Sequence, residues 1–229
     1  MTISSIPSNT ARNFLFPPPN GMDYIDFHTH HPSRQGETVI QDGVHTWGIH
    51  PWKASLPHTF PSSADHLMAI GECGLDVYAQ ASMEQQMQVF VGQLRLAQEW
   101  HLPVILHCVK CLDSLLALHK EMKPAEPWIL HGFRGKPRQL ESLLKAGFHV
   151  SFGFHFHPDS LRLCPMRQLL LETDEDPRPV SMLYQEVAQL RGIGQEELIG
   201  AMQEQFHTLF AKSASSQKAD SLCPCLIPV

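Results

Sequence analysis

Short apolar runs alternate with amphipathic stretches along most of the chain, and this alternation constrains the fold more than any other feature. Apolar residues recur at helical spacing in Met83–Trp100, Leu112–Met122 and Pro137–Ala146, and two more helices are predicted at about 180–190 and 195–211. Strands that alternate with helices are typical of a parallel sheet. The predicted strands are Tyr24–His28, Val44–Ile49, Leu67–Gly71, Pro103–His107, Trp128–His131, His149–Phe152 and Gln168–Glu172.

The number of strands predicts the fold class. Parallel strands in this number favour an α/β fold of the TIM-like (β/α) barrel type over an open sheet, and the 229 residues lie at the small end of the range for such barrels, roughly 200 to over 400 residues. Residues 22–212 are predicted to form this barrel. Residues 1–21, with prolines at 17–19, are predicted to be an irregular arm, and residues 213–229 a flexible tail.

Composition and charge restrict the cellular location and the binding partners that we expect for the protein. No apolar leader precedes the six cysteines, and no apolar run approaches the roughly 20 residues that a membrane helix needs. We therefore expect a cytoplasmic protein with reduced thiols and no membrane association. The formal charge of −6 argues against a protein that holds nucleic acid through a general basic surface. It leaves room for a nuclease, because bound divalent cations would supply positive charge where a phosphate must lie.

Side chains that can bind metals stand at the ends of the apolar runs. Each stands at or just after the carboxyl end of its predicted strand, and in α/β barrels this end carries the active site. A parallel sheet would therefore bring them to one rim. The residues are His28, His30, His50, Glu72, His107, His131 and Asp174.

The first apolar run ends in a His-x-His motif. Residues two apart on a strand point the same way, so His28 and His30 can bind one cation together. The alternative is a pair of hydrogen-bonded or exposed histidines. The recurrence of further candidate ligands at matching places favours the metal site.

The ligand set predicts two cations rather than one. Without His50, the six remaining residues exceed the three or four protein ligands of a single catalytic zinc. They fit two cations about 3.5–4 Å apart that share a carboxylate. Glu72, the central acid among the histidines, is the predicted bridge, and Asp174 is predicted to bind one metal and hold the attacking water. Mixed histidine and carboxylate ligands leave the metal open between Zn, Mn, Mg and Co.

The motifs around these residues also occur together in a known family. They are Asp26-Phe-His-Thr-His30, Gly48-Ile-His-Pro51, Ala69-Ile-Gly-Glu-Cys-Gly-Leu-Asp76, Pro103-Val-Ile-Leu-His-Cys108, Leu130-His-Gly-Phe133 and Leu171-Glu-Thr-Asp174. With these motifs in this order, over about residues 22–211, the chain resembles a shortened member of the TatD family of metal-dependent deoxyribonucleases, among the amidohydrolase-like barrels.

The resemblance implies an activity and a role for each residue. It implies a (β/α)₈-type barrel, two divalent cations and hydrolysis of phosphodiester bonds in DNA, as in a 3′–5′ exonuclease. The implied metal sites are His28, His30 and Asp174 for one cation, His107 and His131 for the other, and Glu72 as the bridge. His50 is implied to lie near the substrate, so that the candidate catalytic residues are Asp174, Glu72 and His50. The expected partner is DNA or another phosphodiester, and no obligate protein partner is inferred.

One departure from the family lies between the first two motifs. Only residues 31–47 separate them, and a crossover between parallel strands needs a dozen or more residues, usually with a helix. A full helix and a second strand will not both fit, although Thr38–Gln41 could be a remnant strand. We therefore expect a barrel with seven strands or with incomplete closure, because the second β/α unit is missing.

Other departures and motifs supply candidate substrate contacts. Gly132 and Arg134 replace the Cys and Ser that are common in the family, and Arg134 could contact a phosphate. The alternative is a solvated surface arginine. His155 and His157 form a second His-x-His motif that could line the rim, or could lie in an exposed loop.

Two other functions remain compatible with the sequence. The same two-metal site could hydrolyse a small ester or amide, because the short rim and the acidic net charge are compatible with such a substrate. A non-catalytic binding protein that keeps the fold is the second alternative. The intact ligand set argues against it.

Overall fold

The computed structural model describes residues 23–210 of the chain, and these contain eight strands and six α-helices. The predicted arm at 1–21 and tail at 213–229 lie outside the described residues. The strands are β1 Tyr24–Thr29, β2 Glu37–Gln41, β3 Thr46–Trp47, β4 Ala69–Asp76, β5 Val104–Val109, β6 Trp128–Leu130, β7 His149–Phe152 and β8 Leu169–Leu171. The helices are α1 Met83–Trp100, α2 Leu112–Met122, α3 Pro137–Ala146, α4 Pro158–Leu163, α5 Val180–Arg191 and α6 Gln195–Phe210.

The strands form a TIM-like barrel that is open at one seam. Strands β3 to β8 pair in sequence order as one parallel sheet, and β1 pairs with β2 in a second parallel sheet. The end of β8 joins β1, because Asp174 donates its backbone N–H to the carbonyl of His28 (3.0 Å) and accepts the N–H of His30 (3.0 Å). Within residues 23–210 no pairing joins β2 to β3. The predicted fold class is confirmed, with incomplete closure.

The second strand is present, and the alternative of a seven-stranded barrel is wrong. Strand β2 lies parallel to β1, with Tyr24 opposite Glu37, and its Val39 and Ile40 are buried. The crossover consists of residues 30–36 and contains no helix. A short crossover is possible because the left-handed Gly36 (φ 78°) turns the chain directly into β2, where its carbonyl accepts the N–H of Tyr24 at 3.0 Å.

The helices follow the predicted pattern. The bounds of α1, α2 and α3 are those predicted from apolar spacing. Helix α1 begins with a capping box, in which the hydroxyl of Ser82 accepts the N–H of Gln85 and the side chain of Gln85 accepts the N–H of Ser82. Helix α3 ends at Gly147, which adopts the left-handed conformation (φ 93°). The short helix α4 was not predicted.

The core lies between the barrel strands and the surrounding helices. Val104, Ile105 and Leu106 of β5 and all three leucines of β8 are buried without alternation, as expected for parallel strands covered on both faces. Phe90 and Leu94 of α1 are part of the same buried cluster. In residues 23–210, no helix combines the length and the apolar character that crossing a bilayer requires.

Candidate metal centre

The residues predicted from the strand ends converge in one pocket. Their potential ligand atoms form four overlapping groups, and within each group the atoms lie within 4.8 Å of one another. The predicted residues in these groups are His28, His30, His50, Glu72, His107, His131 and Asp174. Glu172, which was not predicted as a site residue, belongs to one group with His131 and Asp174.

A β-bulge places the central acid. Strand β4 continues past Glu72 to Asp76, beyond its predicted end at Gly71. Between Ile70 and Cys73 its register with β5 shifts, so that β4 has one more residue than its partner over this interval. A bulge of this kind redirects a side chain out of the regular alternation. Glu72 is 7% exposed and lies in the middle of the histidines.

The two carboxylate oxygens of Glu72 face two different sets of imidazoles. The distances from Oε1 are 2.6 Å to Nδ1 of His107, 2.7 Å to Nε2 of His131 and 3.4 Å to Nε2 of His50. The distances from Oε2 are 3.5 Å to Nε2 of His28 and 3.7 Å to Nε2 of His30. A carboxylate with nitrogen ligands on both sides has the geometry of a bridge between two cations.

Asp174 completes the set on the Oε2 side of Glu72. Its Oδ1 lies 3.5 Å from Nε2 of His30 and 3.8 Å from Nε2 of His28. Asp174 adopts the left-handed conformation (φ 57°), which aspartate tolerates better than most residues. Its backbone is held in place by the two bonds to β1 described above. Closure of the barrel between β8 and β1 therefore positions this carboxylate next to the His-x-His pair.

Three of the histidines have a second carboxylate behind the ring. In each case the ring nitrogen that points away from Glu72 faces this carboxylate. The pairs are His30 Nδ1 with Asp42 Oδ2 at 3.9 Å, His107 Nε2 with Asp76 Oδ2 at 3.2 Å, and His131 Nδ1 with Glu172 Oε1 at 3.4 Å. Carboxylates in this position orient histidines that ligate metals and fix their tautomer.

The positions of Asp42 and Glu172 in the sequence point to two of these carboxylates. Asp42 directly follows β2, as His30 follows β1 and His131 follows β6, but the sequence predicts only a remnant strand before it. Glu172 stands two residues before Asp174 and is fully buried. Its Oε1 accepts the backbone N–H of Gly132 at 2.6 Å, which also fixes the turn after β6.

The electrostatics of the pocket couple the central acid to the bases. Burial alone would raise the pKa of Glu72, but the charge of His131 and hydrogen bonds from His107 and His131 outweigh it and hold this pKa well below its usual range. Burial likewise opposes a charge on His131, yet Glu72 and Glu172 hold the pKa of His131 well above its ordinary value. The nearby carboxylate of Glu72 raises the pKa of His30. Burial raises the pKa of Asp174.

The candidate substrate contacts lie in different places on the rim. Arg134 and His155 both line a cavity of about 270 Å³ that Asp174 also lines. His157 lies outside this cavity and is the N-terminal cap residue of α4, with its Nδ1 buried and without a hydrogen-bond partner in the described chain. A larger cavity of about 990 Å³ is lined by Arg134, His107, His131 and Asp174 among others. Arg134 therefore lies between the two cavities, next to the cluster.

The sequence profile of the TatD related DNase family matches residues 32–211, which is most of the chain. The chain belongs to this TatD family. The match begins just after the His-x-His motif of β1, whereas the resemblance was expected from about residue 22.

Named TatD relatives cover most of the chain. The 3′–5′ ssDNA/RNA exonuclease TatD of Escherichia fergusonii is 28% identical over 225 residues, which cover 79% of this chain and 84% of the relative. The protein of the same name from Erwinia amylovora is 35% identical over 187 residues, which cover 67% of this chain and 72% of the relative. The chain therefore spans more than two thirds of the length of these relatives.

Solved TatD structures share the fold. The TatD homologue YJJV of Escherichia coli K12 superposes with a TM-score of 0.63 at 24% identity, covering 78% of each chain. A TatD family hydrolase of Entamoeba histolytica superposes with a TM-score of 0.64 at 16% identity, covering 76% of this chain and 75% of the other. At these identities the likeness concerns the fold.

Proposed function

We propose that this chain is a divalent-metal-dependent nuclease that hydrolyses phosphodiester bonds of nucleic acid at a two-cation site, with a 3′–5′ exonuclease as the specific form. The observation that carries the proposal is the position of Glu72 between two sets of imidazole nitrogens, three near Oε1 and two near Oε2. The names of the relatives, 3′–5′ ssDNA/RNA exonucleases, support the substrate class.

The donor atoms are arranged for binding cations rather than for hydrogen bonding to one another. Both ring nitrogens of His28 are buried and have no hydrogen-bond partner in the described chain. A buried imidazole without partners is costly. Nε2 of His28 points at Glu72 and Asp174 from 3.5 and 3.8 Å, too far for good hydrogen bonds but suited to sharing an ion between them. Nitrogen and carboxylate donors together suit Zn, Mn, Co or Mg.

We assign the ligands to two groups by their position around Glu72. The first group is His28, His30 and Asp174 on the Oε2 side, and the second is His107 and His131 on the Oε1 side. Bound cations would lower the pKa of a water toward about 7, polarise the phosphoryl group and neutralise charge in the transition state. The acids behind the rings, Asp42, Asp76 and Glu172, keep the ligating nitrogens aimed at the pocket.

Asp174 and His50 are assigned to proton handling and substrate binding. Burial raises the pKa of Asp174, which makes its carboxylate a better proton acceptor for the attacking water. Nδ1 of His50 accepts the backbone N–H of Trp52 at 3.3 Å, so the proton of the neutral ring is on Nε2, which faces the pocket. His50 can therefore donate to a phosphoryl oxygen, and we place it with the substrate rather than with the ligands.

The rim contacts complete the proposal. The guanidinium of Arg134 makes no hydrogen bond or ion pair with residues 23–210, and it lines both cavities next to Asp174. An arginine without an ion-pair partner, beside the proposed cation site, is suited to binding a phosphate. We propose Arg134 and His155 as phosphate contacts. His157 remains a weaker candidate, because it lies at the start of α4 and not on the cavity wall.

A cleavage assay with one matched pair of variants tests the function. Purified protein is incubated with a 5′-labelled single-stranded oligonucleotide and Mg²⁺, Mn²⁺, Co²⁺ or Zn²⁺, with and without chelator. We expect chelator-sensitive loss of nucleotides from the 3′ end, which a 3′-terminal phosphorothioate slows. Glu72→Gln should abolish turnover while the circular dichroism spectrum is retained. Glu141→Gln, on the exposed face of α3, should cleave like the wild type.

The same assay separates the alternative functions. Metal-dependent hydrolysis of small esters or amides, with no cleavage of any oligonucleotide, would replace the nuclease by a small-molecule hydrolase at the same site. Absence of turnover on all substrates, with metal bound at two equivalents per chain, would indicate a binding protein. Metal content after dialysis, measured by mass spectrometry, gives the stoichiometry independently of activity.

A further inference from the structure

Two aromatic side chains stand exposed on the rim beside the metal centre. Trp52, in the 3₁₀ turn that follows His50, is 60% exposed, and Tyr78, just after β4, is 62% exposed. Tryptophan and tyrosine, which combine a large apolar ring with a polar group, are enriched at binding interfaces. Both lie at the carboxyl end of the strands, where the proposed substrate must enter.

One buried carboxylate holds both aromatic residues next to a ligand. Asp76 Oδ2 accepts the indole N–H of Trp52 at 2.7 Å and lies 3.2 Å from Nε2 of His107. Its Oδ1 accepts the backbone N–H of Tyr78 at 2.8 Å. The backbone N–H of Asp76 in turn donates to the buried side chain of Gln86 at 2.8 Å. The aromatic residues therefore keep a fixed place relative to His107, as a preorganised binding surface requires.

Unpaired cations lie next to this surface. The ammonium of Lys110 lies 4.8 Å from the ring centroid of Tyr78. Lys110, Arg134 and Arg138 line the cavity of about 990 Å³ that also contains His107 and His131. None of these three cations forms an ion pair within residues 23–210, and besides Asp174 the lining contains one acid, Asp113. The chain as a whole is acidic, so this concentration of cationic side chains without an ion-pair partner is local.

We propose that Trp52 and Tyr78 form a stacking platform for the unpaired bases of a single nucleic-acid strand, whose phosphates lie along Lys110 and the cation-lined cavity. Stacking on aromatic rings beside a basic groove is the general way in which proteins bind single strands without reading sequence. Bases that are paired inside a duplex do not offer their faces to such rings. This inference rests on the proposed nuclease function and adds to it the two residues that would hold the bases without reading their sequence.

The experiment measures binding and does not depend on turnover. Metal-loaded protein is titrated into two fluorescent phosphorothioate 12-mers that resist hydrolysis, one with normal bases and one fully abasic. We expect the wild type to bind the strand with bases at least about tenfold more tightly. Trp52→Ala and Tyr78→Ala should each weaken this binding about five- to tenfold, which is at the lower end of what the stacking of one base contributes, and should leave abasic binding unchanged.

Matched variants keep the test specific. Trp52→Phe retains a ring but not the bond to Asp76, and should keep most of the affinity for bases. Leu163→Ala removes an equally exposed apolar side chain from α4 (63% exposed) and should change neither affinity. Lys110→Ala should weaken both strands, because it removes a phosphate contact.

Two results would overturn the platform. Equal affinity of the wild type for both strands would do so, and so would a parallel loss for both strands in Trp52→Ala, which would indicate a structural effect through Asp76. Failure of the nuclease proposal is distinguishable, because it appears as absence of cleavage of ordinary oligonucleotides while the two binding curves still report on the platform.

Discussion

The Nδ1 atom of His30 lies 3.9 Å from Oδ2 of Asp42, on the side of the ring opposite the candidate metal centre. The other oxygen of Asp42 accepts the backbone N–H of Glu72 at 3.1 Å and the hydroxyl of Thr46 at 2.9 Å. Asp42 stands at the end of β2, and its partners belong to β3, β4 and the loop after β1. One side chain therefore spans the open seam of the barrel where backbone pairing is missing, and it connects both sides to the centre.

Replacing Asp42 tests this bridge. Asp42→Asn keeps an oxygen acceptor but removes the charge that orients His30, and loss of such an outer partner costs about 10–100-fold in metal affinity. We expect weaker binding of the first cation by this factor, measured by calorimetry, with a smaller loss in Asp42→Asn than in Asp42→Ala. Asp159→Asn, an exposed change on α4, serves as the control. Wild-type affinity in Asp42→Ala would rule out the positioning role.

Protons should compete with metal ions for the histidines at pH values above the usual pKa range of histidine. The nearby carboxylate of Glu72 raises the pKa of His30, and Glu72 and Glu172 raise that of His131 against the effect of its burial. An imidazole must be neutral to ligate a cation, so these protons must leave when metal binds. The affinity for Mn²⁺ or Zn²⁺ should therefore fall as the pH is lowered, with an onset above the reference pKa of about 6.5.

Calorimetry measures this competition directly. Titrations at pH 8, 7 and 6 should show a falling affinity, and titrations in two buffers of different ionisation enthalpy should show proton release. His45→Gln is a suitable control, because burial lowers the pKa of His45 and its ring is outside the candidate ligand groups. An affinity that stays level from pH 8 to pH 6 would contradict histidine ligation.

The local elements and the positions of the candidate ligands could be predicted from the sequence better than the closure of the barrel. Apolar spacing predicts a helix such as Met83–Trp100 because burial of one face is a local pattern, and strand ends predict ligands such as His107 because parallel strands share one rim. The crossover before β2 depends on a single left-handed glycine, Gly36, which no periodicity reveals. Asp42 was missed because its partners come from three other segments, and such a role depends on tertiary packing.

The approach of β3 to β4 allows no side chain at Gly48. A Cβ atom added there would lie 2.5 Å from the carbonyl oxygen of Glu72 and 2.5 Å from the carbonyl carbon of Gly71. Both atoms are backbone of β4, so the clash can be relieved only by moving the strand that carries Glu72. Gly48→Ala should lower the free energy of unfolding by about 1–3 kcal/mol and weaken metal binding, as measured by urea unfolding and calorimetry.

Gly200 provides the opposite control for the same substitution. It lies within α6, is exposed, and a Cβ added there would have no atom within 4 Å. Gly200→Ala should raise the free energy of unfolding by roughly 0.5–1 kcal/mol, because alanine loses less conformational freedom in a helix. Equal effects of the two substitutions would contradict the close approach of β3 to β4.

Asp26 makes the stability of the metal-free protein depend on pH. Burial raises the pKa of Asp26 to about 7, although hydrogen bonds from Thr173 to its carboxylate oppose the rise. Because this folded-state pKa lies above the unfolded value of about 3.9, the folded state binds the proton more tightly. The contribution of Asp26 to stability is therefore complete below about pH 4 and is lost as the pH rises towards 7.

Asp26→Asn removes this dependence while keeping the partners. The asparagine oxygen can accept the backbone N–H of Thr173, and its amide can donate to the Thr173 hydroxyl. Between pH 4.5 and pH 7, the free energy of unfolding of the variant should rise relative to that of the wild type by about 1 kcal/mol or more, with no further rise above pH 7. Urea unfolding in the presence of chelator measures this difference. In the otherwise wild-type protein, Thr173→Val removes a donor to the carboxylate of Asp26. It should raise the pKa of Asp26 and extend the range over which stability depends on pH to higher pH. A stability difference between Asp26→Asn and wild type that is the same at pH 4.5 and pH 8 would mean that Asp26 does not titrate in this range, and would contradict the raised pKa.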